Sequence, residues 1–185
     1  MKNVFSLLAT LMLGLTVGLT PVHAVVIGGE ISISGGFVPG EGASLADATS
    51  IDFLEWNGTS YVSGTAGGSF TVAAVSGDFA DYVTPSPFIL GNINDFSFDS
   101  SFTPVSPLWE IGGFAFDLTS VSVDTQSDTT LVLYGQGFIY GNGFDVTEGR
   151  WILTGNSLGS TFSWSSTTVP EAPTLALLAI ALLGL

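Results

Sequence analysis

The 185-residue chain is strongly acidic: 16 aspartates and glutamates face 2 lysines and arginines, for a net charge of −14. This balance argues against a nucleic-acid partner, because basic side chains must replace the phosphate counterions. The absence of cysteine excludes a disulfide framework and a cysteine-ligated metal site. Hydrophobic residues make up 46% of the chain, enough to build a core. One acidic, glycine-rich globular domain is therefore expected.

The N-terminus has the pattern of a secretory signal peptide. Lys2 supplies a positive charge, an apolar run covers residues 4–19, and a Val-x-Ala motif ends at Ala24. The small side chain of Ala24 suits signal peptidase, so cleavage is predicted before Val25. The apolar run is shorter than the ~20 residues of a spanning helix. This favours a cleaved signal at 1–24 over a retained membrane anchor.

Short segments rich in valine, isoleucine, phenylalanine, tyrosine and threonine alternate with turn residues in the middle of the chain, a pattern typical of β-strands. The Asn142-Gly143 pair predicts a hairpin, because both residues tolerate positive φ. Residues 43–48 are the one stretch that suggests a helical turn. We expect a single antiparallel β-sandwich or jelly-roll domain over 25–168. The predicted strands are 31–37, 51–56, 60–63, 69–75, 89–98, 108–123, 129–140, 150–155 and 161–165.

The mature domain offers few groups for catalysis. It contains no histidine, lysine or cysteine, and Arg150 is its only cation, so the usual nucleophile–base arrangements cannot form. A pair of carboxylates, as in glycoside hydrolases, is the catalytic arrangement that these residues still allow. The Glu55-Trp56 and Trp109-Glu110 pairs each place an acid beside an aromatic that could stack on a sugar. However, most tryptophans in β-sandwiches are core residues, so we predict no catalytic residue and a protein that is not an enzyme.

Oxygen ligands of the kind that calcium prefers are abundant in the chain. The densest candidates are Asn92, Asn94 and Asp95 with Asp99, and Asp124 with Asp128. Neither set matches an EF-hand loop or a calcium-binding repeat, and Asn and Asp also serve as turn residues. We therefore predict no cofactor or metal ligand, with calcium left as an alternative. Arg150, next to Trp151, is expected to form a structural ion pair, with a ligand site as the alternative.

The C-terminal segment combines a short motif with an apolar run. Val169-Pro170-Glu171 precedes residues 175–185, which contain no polar side chain. Eleven residues of helix would span roughly 16 Å, about half of the hydrocarbon core. This end resembles the PEP-CTERM sorting signal of exopolysaccharide-producing Gram-negative bacteria, assigned here to 169–185. The resemblance departs at the end, since no basic cluster follows the apolar run.

The resemblance implies a route rather than a molecular activity. Proteins with this signal cross the inner membrane, pause there on the hydrophobic helix, and are cut near the motif by an exosortase. We therefore expect Ala24, Val169, Pro170 and Glu171 to be processing and sorting residues, with signal peptidase and exosortase as partners. The expected destination is the cell surface or extracellular matrix, in possible contact with exopolysaccharide.

Three functions remain open for the mature domain. The first is a non-enzymatic surface or matrix protein; the alternatives are a carbohydrate-binding module and a carboxylate-pair glycoside hydrolase. A binding module should expose a row of aromatics on one sheet face. A hydrolase should place two carboxylates in a cleft, roughly 5–9.5 Å apart.

Overall fold

A computed structural model of the chain describes residues 25–40, 43–64, 66–156 and 161–168, the last of these by its backbone. The predicted signal peptide with Ala24, the sorting residues Val169, Pro170 and Glu171, and the helix expected at 175–185 lie outside these residues. A short 3₁₀ helix, Asp78–Asp81, joins the fourth and fifth strands. The strands are Gly29–Pro39 (β1), Ser50–Trp56 (β2), Tyr61–Ser63 (β3), Gly68–Gly77 (β4), Ser86–Ile93 (β5), Phe96–Ser97 (β6), Val105–Ile111 (β7), Phe114–Gln126 (β8), Thr130–Gly141 (β9), Phe144–Asn156 (β10) and Thr161–Thr168 (β11).

The main sheet closes on itself. Its strands follow the order β11-β10-β9-β8-β7-β5-β4-β1, and β11 also pairs with β1. All of these pairings are antiparallel; Glu30 lies opposite Thr167 where β11 completes the sheet. The short strands β2, β3 and β6 form a satellite on the end of β1, where Phe37 lies opposite Phe53. The predicted all-β, antiparallel, sandwich-like domain is confirmed.

Strand alternation builds the core. In β10, Trp151 and Leu153 point inward while Arg150 and Ile152 point outward, as the period of two requires. Most of the buried hydrophobic side chains form one cluster, to which strands all around the closed sheet contribute. Phe96 of β6 meets Trp151 of β10 edge-on, with ring centroids 6.2 Å apart. The interior is therefore filled by aromatic and branched side chains.

The first and last residues that the structure describes, Val25 and Thr168, lie at the same end of the closed sheet. This end is here called the terminal end. The carbonyl of Val25 accepts a hydrogen bond of 2.9 Å from the amide of Asp145, at the start of β10. Thr168 pairs with Gly149 of the same strand. At the opposite end, the turn at 43–48 covers the core, where the Gln126 side chain donates to two of its carbonyls.

Two predicted strands were wrong in extent, because each is interrupted in the structure. The segment 108–123 is interrupted at Gly112 and Gly113, whose positive φ values of 59° and 79° form a tight hairpin between β7 and β8. The segment 89–98 breaks between β5 and β6. The hairpin predicted at Asn142-Gly143 is confirmed, with φ values of 50° and 82°.

Candidate functional site

The Trp109-Glu110 pair does not form a sugar-binding platform. Successive strand residues face opposite sides of a sheet, so Glu110 is exposed while Trp109 is fully buried. The Trp109 ring stacks on Phe116 in the core, with centroids 5.6 Å apart. The alternative interpretation of this tryptophan as a core residue is confirmed.

The Glu55-Trp56 pair lies on the satellite strands. Trp56 packs edge-on against Tyr61 of β3, with ring centroids 5.2 Å apart, and burial raises the pKa of the Tyr61 hydroxyl. Glu55 lines a depression of about 230 Å³ together with Ser69, Asn92 and Asn94. No second acid is among the residues lining that depression. Glu55 therefore lacks the facing carboxylate that a hydrolase would need.

A carboxylate pair occurs elsewhere, at a place that the sequence analysis did not identify. Asp52 of β2 and Asp95, next to β6, both line an open cleft of about 400 Å³. The cleft brings them together because β2 and β6 pair, with Ser50 opposite Ser97. Of the two, only Asp95 had been considered, as a calcium ligand.

Asp95 has a structural role in this cleft. Its Oδ1 accepts a hydrogen bond of 2.6 Å from the backbone amide of Phe53. Burial raises the pKa of the Asp95 carboxyl, and the charge of Asp52 raises it further, while the backbone hydrogen bonds partly offset this. Asp95 thus links the β5–β6 connection to β2.

Several of the calcium candidates form hydrogen bonds with neighbouring protein groups. The Asn94 side chain donates to the carbonyl of Pro107 at 2.8 Å, and Asp99 accepts from both the amide and the hydroxyl of Ser101. Asp124 accepts from the adjacent Thr125 hydroxyl. Within the part of the chain that the structure describes, no three acids or histidines converge on a point where a metal ion could bind.

The outside of β9, here called the outer aromatic face, carries a row of aromatic side chains. Tyr134 and Phe138 are 49% and 38% exposed on it, and Tyr140 lies two residues further along. At about 3.3 Å per residue, these side chains are spaced by roughly 13 Å and 7 Å along the strand. A row of aromatics on one sheet face is the feature expected of a binding module.

Polar groups fill the space between the rings. Gln136 lies between Tyr134 and Phe138 on β9 and opposite Arg150 of β10. With Thr119 and Glu148, these two residues line a shallow depression of about 60 Å³ beside Phe138. A depression of this size cannot enclose a sugar ring, but it can receive hydroxyl groups from a chain lying across the face.

Arg150 is exposed within this face. The structural ion pair expected for it stays a prediction, because β11, which pairs with β10 at Arg150, is described by its backbone alone; Glu148 lies two residues away on the same side of β10. The Arg150 guanidinium brings several N–H donors to the face. The arrangement supplies donors and acceptors between aromatic rings.

A hydrogen-bonded cluster fixes one end of the row. Asp117 of β8 accepts from the Ser106 hydroxyl at 2.8 Å and from the Tyr140 hydroxyl at 3.1 Å. Burial raises the pKa of Tyr140, and the bond to Asp117 with its charge raises it further. The Tyr140 hydroxyl therefore remains a protonated donor, which holds the ring in place.

This face was not predicted from the sequence, because the tryptophan–acid pairs are the more conspicuous signal for sugar binding. The usable signal was the alternation in β9, where glycine occupies the inward positions 135 and 137 and Tyr134, Gln136 and Phe138 point outward. A β-carbon at Gly137 would collide with the ring of Phe116. The small inward residues thus serve the core, and the large outward residues form the face.

No protein-family model matches this chain, and neither curated proteins nor solved structures gave a significant match. Over the described ranges, no helix has the length and apolar character required to traverse a bilayer.

Proposed function

We propose that this chain is an exported, non-enzymatic cell-surface or matrix protein whose β-domain binds a neutral polysaccharide across the outer aromatic face. The observation that carries the proposal is the row of Tyr134, Phe138 and Tyr140 on one side of β9. A contiguous group of exposed aromatic side chains, unlike a single one, marks an interaction site. Their alignment along one strand suits an extended ligand.

Sugar chemistry matches this combination of groups. The apolar C–H faces of a pyranose can lie against aromatic rings, while its hydroxyls need both donors and acceptors. Gln136 and Arg150 provide donors beside Phe138, and Glu148 provides acceptors. The face is open rather than enclosed, which favours a long chain over a small soluble sugar.

Charge favours a neutral ligand. Arg150 is the only cation between residues 25 and 168, and the chain as a whole carries −14. Asp117 and Glu148 lie opposite Phe138 on the flanking strands. The carboxylates of Asp117 and Glu148 would repel an anionic polymer on this face at low ionic strength. A polyuronate would need divalent cations to approach this face.

Export and sorting are supported by the ends of the sequence. The pattern ending at Ala24 matches a signal peptide, and Val169-Pro170-Glu171 with the apolar run after it resembles an exosortase substrate. In this proposal the chain is held transiently at the inner membrane and then released to the surface or matrix of a Gram-negative bacterium. A polysaccharide-binding domain suits that destination.

The hydrolase alternative rests on Asp52 and Asp95 and is weaker. A general acid must carry a proton and present it to the substrate, whereas the backbone amides of Phe53 and Gly67 both donate to the Asp95 carboxylate and favour its ionised form. The cleft is also lined by none of the aromatics of the outer face. A chain stacked on β9 would therefore not present its glycosidic bond to these carboxylates.

Affinity electrophoresis tests the proposal, with the full-length protein in a detergent without a sugar headgroup and gels containing neutral or acidic polysaccharides. We expect retardation by at least one neutral polymer. Tyr134→Ala and Phe138→Ala should each weaken binding by about fivefold or more, because aromatic anchors at interfaces typically contribute over ~1 kcal/mol.

The matched control is Val62→Ala, which shortens an exposed side chain on β3 and should bind like the wild type. Equal retardation of all variants would contradict the assignment of the outer aromatic face. If the wild type released reducing ends from a polysaccharide and Asp95→Asn did not, the protein would be a hydrolase and the non-enzymatic proposal would be wrong.

A further inference from the structure

Three consecutive large apolar residues project into solvent at the start of β5. Phe88, Ile89 and Leu90, here called the apolar tip, are 89%, 51% and 39% exposed. A run of three exposed apolar residues is unfavourable in water, so on a folded protein it usually marks a contact with another molecule or with a membrane. Phe88 is the most exposed of the large hydrophobic side chains in the described residues.

The tip protrudes because β5 bulges away from its neighbour. Thr71 of β4 lies opposite Leu90, but the next residue, Val72, lies opposite Ser86. The intervening residues of β5 therefore have no partner on β4. On the other side, β7 pairs only with Asn92 and Ile93. The Ser86 hydroxyl accepts the Phe88 amide at 3.1 Å, which shapes the projecting turn.

The tip and the last described residue belong to the same region of the closed sheet. β5 begins directly after the connection that crosses the terminal end, where β4 ends and Thr168 completes β11. Only β1 and β4 separate β11 from β5, which corresponds to about 14 Å across the sheet at ~4.8 Å per strand. Residues 169–174 then lead to the apolar run 175–185, a link of at most roughly 20 Å.

The shape and chemistry of the tip fit a lipid interface better than a protein groove. It is convex and uncharged, and a convex apolar loop needs either a complementary cavity or a deformable apolar medium. Three depressions in the described part of the chain each contain an ionisable side chain: Glu148 in one, Asp52 in another and Glu55 in the third. None offers an apolar cavity to the tip of a second copy.

We propose that the apolar tip inserts into the membrane interface while the chain is held there by residues 175–185. The inference rests on the membrane-anchored stage of the proposed function and adds a second contact to it. Side chains of this kind lie about 5–10 Å deep, at the boundary of headgroups and acyl chains. The tip would hold the terminal end against the bilayer, with the sorting motif at its surface.

The charge of the domain makes the lipid preference unusual. With a net charge of −14, the domain is repelled by anionic lipids, whereas most peripheral proteins are attracted to them. Insertion of the tip should therefore be strongest in zwitterionic vesicles. Adding anionic lipid should weaken it, and raising the salt concentration should restore it through screening.

Depth-dependent fluorescence quenching tests the contact in the full-length protein. Phe88→Trp places a reporter on the tip, and Val123→Trp places a matched reporter on the exposed side of β8 near the opposite end. The chain has four tryptophans of its own, so the emission of the wild type under the same conditions is subtracted from that of each variant. Both proteins are mixed with phosphatidylcholine vesicles carrying brominated acyl chains and are separated by flotation. We expect both to float and the Phe88→Trp emission to be quenched at least about twofold more than that of Val123→Trp.

Each other outcome overturns a defined statement. Flotation with equal quenching overturns the tip contact and leaves the anchoring intact. Failure to float overturns the anchored stage and the tip contact together, but leaves polysaccharide binding by the outer aromatic face standing. Blue-shifted Phe88→Trp emission without lipid also overturns the contact: if it is independent of protein concentration, the run 175–185 covers the tip, and if it rises with concentration, a second copy does.

Discussion

Gly155 of β10 faces the ring of Phe37 of β1, so closely that a β-carbon at Gly155 would lie 2.7 Å from Phe37 Cζ. The same relationship recurs where Gly91 meets the ring of Phe70. In each case, the missing side chain of a strand glycine leaves room for an aromatic ring inside the closed sheet. Close packing leaves no spare volume at such positions.

Gly155→Ala is therefore expected to destabilise the fold. The added methyl group must displace Phe37 or the backbone of β10, and overpacking of this kind typically costs about 1–3 kcal/mol. The measurement is chemical denaturation followed by tryptophan fluorescence. Gly28→Ala is the control, because a β-carbon there would meet its nearest neighbour, Asp78 Oδ2, at an ordinary 3.6 Å. Equal midpoints for the two variants would contradict the packing argument.

Much of the fold could be predicted from local pattern. The all-β class and the Asn142-Gly143 hairpin follow from strand propensity and turn chemistry. Closure of the sheet could not, because the pairing of β11 with β1 joins residues such as Ser34 and Ser163 that are far apart in sequence. No periodicity within a strand encodes its distant partner. The strand pattern likewise does not show that a glycine such as Gly155 accommodates an aromatic ring of another strand.

The candidate site was predicted less well than the fold. The tryptophan–acid pairs drew attention because both residue types are chemically distinctive, but strand alternation places Trp109 inside and Glu110 outside. Tyr134 and Phe138 carry no such signature individually. They become a site only when β9 is known to lie between β8 and β10, with its outer side open. Asp52 and Asp95 are 43 residues apart and meet only through the β2–β6 pairing.

Asn142 has two roles: its side chain links two hairpins, and its backbone adopts a positive φ. Two substitutions separate the side-chain hydrogen bond from the backbone conformation. Its side-chain amide donates to the Gly112 carbonyl at 2.9 Å, while its φ is 50°. Asn142→Gly keeps the favourable conformation and loses the hydrogen bond, which should cost about 0.5–1.5 kcal/mol. Asn142→Ala loses both and should be less stable than Asn142→Gly. Thermal unfolding gives the order, and equal stability of the two variants would contradict a role for the positive φ.

Gln126 holds the turn over the end of the core opposite the terminal end. Its amide nitrogen donates to the Leu45 carbonyl at 3.0 Å and to the Ala48 carbonyl at 2.8 Å. Gln126→Glu has the same shape but no donor when ionised, so both carbonyls lose a partner at neutral pH. We expect a loss of about 1–3 kcal/mol, measured by denaturant unfolding.

The loss in Gln126→Glu should diminish under acidic conditions. A protonated glutamate regains one donor, so the difference from the wild type should shrink as the pH falls below the ordinary glutamate value of ~4.3. Gln126→Leu, which cannot titrate, serves as the control and should show no such recovery. Parallel pH profiles for the two variants would refute donation by Gln126 as the stabilising contact.

The stability of the fold should depend on pH through Asp95. The same measurement tests whether this carboxyl is instead a calcium ligand or a catalytic acid. Its pKa in the folded protein is raised above the ordinary value of 3.8, chiefly by burial and further by the charge of Asp52. The folded state therefore binds the proton more tightly than the unfolded state. The stabilising contribution of this group is complete below the unfolded pKa and is lost as the pH rises through the folded pKa.

Asp95→Asn should consequently be at least as stable as the wild type at neutral pH, since asparagine keeps an oxygen acceptor for the Phe53 amide without the buried charge. Its advantage in the denaturation midpoint should vanish as the pH falls below about 4. Asp52→Asn, which removes only the neighbouring charge, should give a smaller gain that does not add to that of Asp95→Asn. A chelator should leave the wild type unchanged. If Asp95→Asn were instead less stable at neutral pH, and calcium raised the midpoint of the wild type alone, the carboxylate would be a cation ligand.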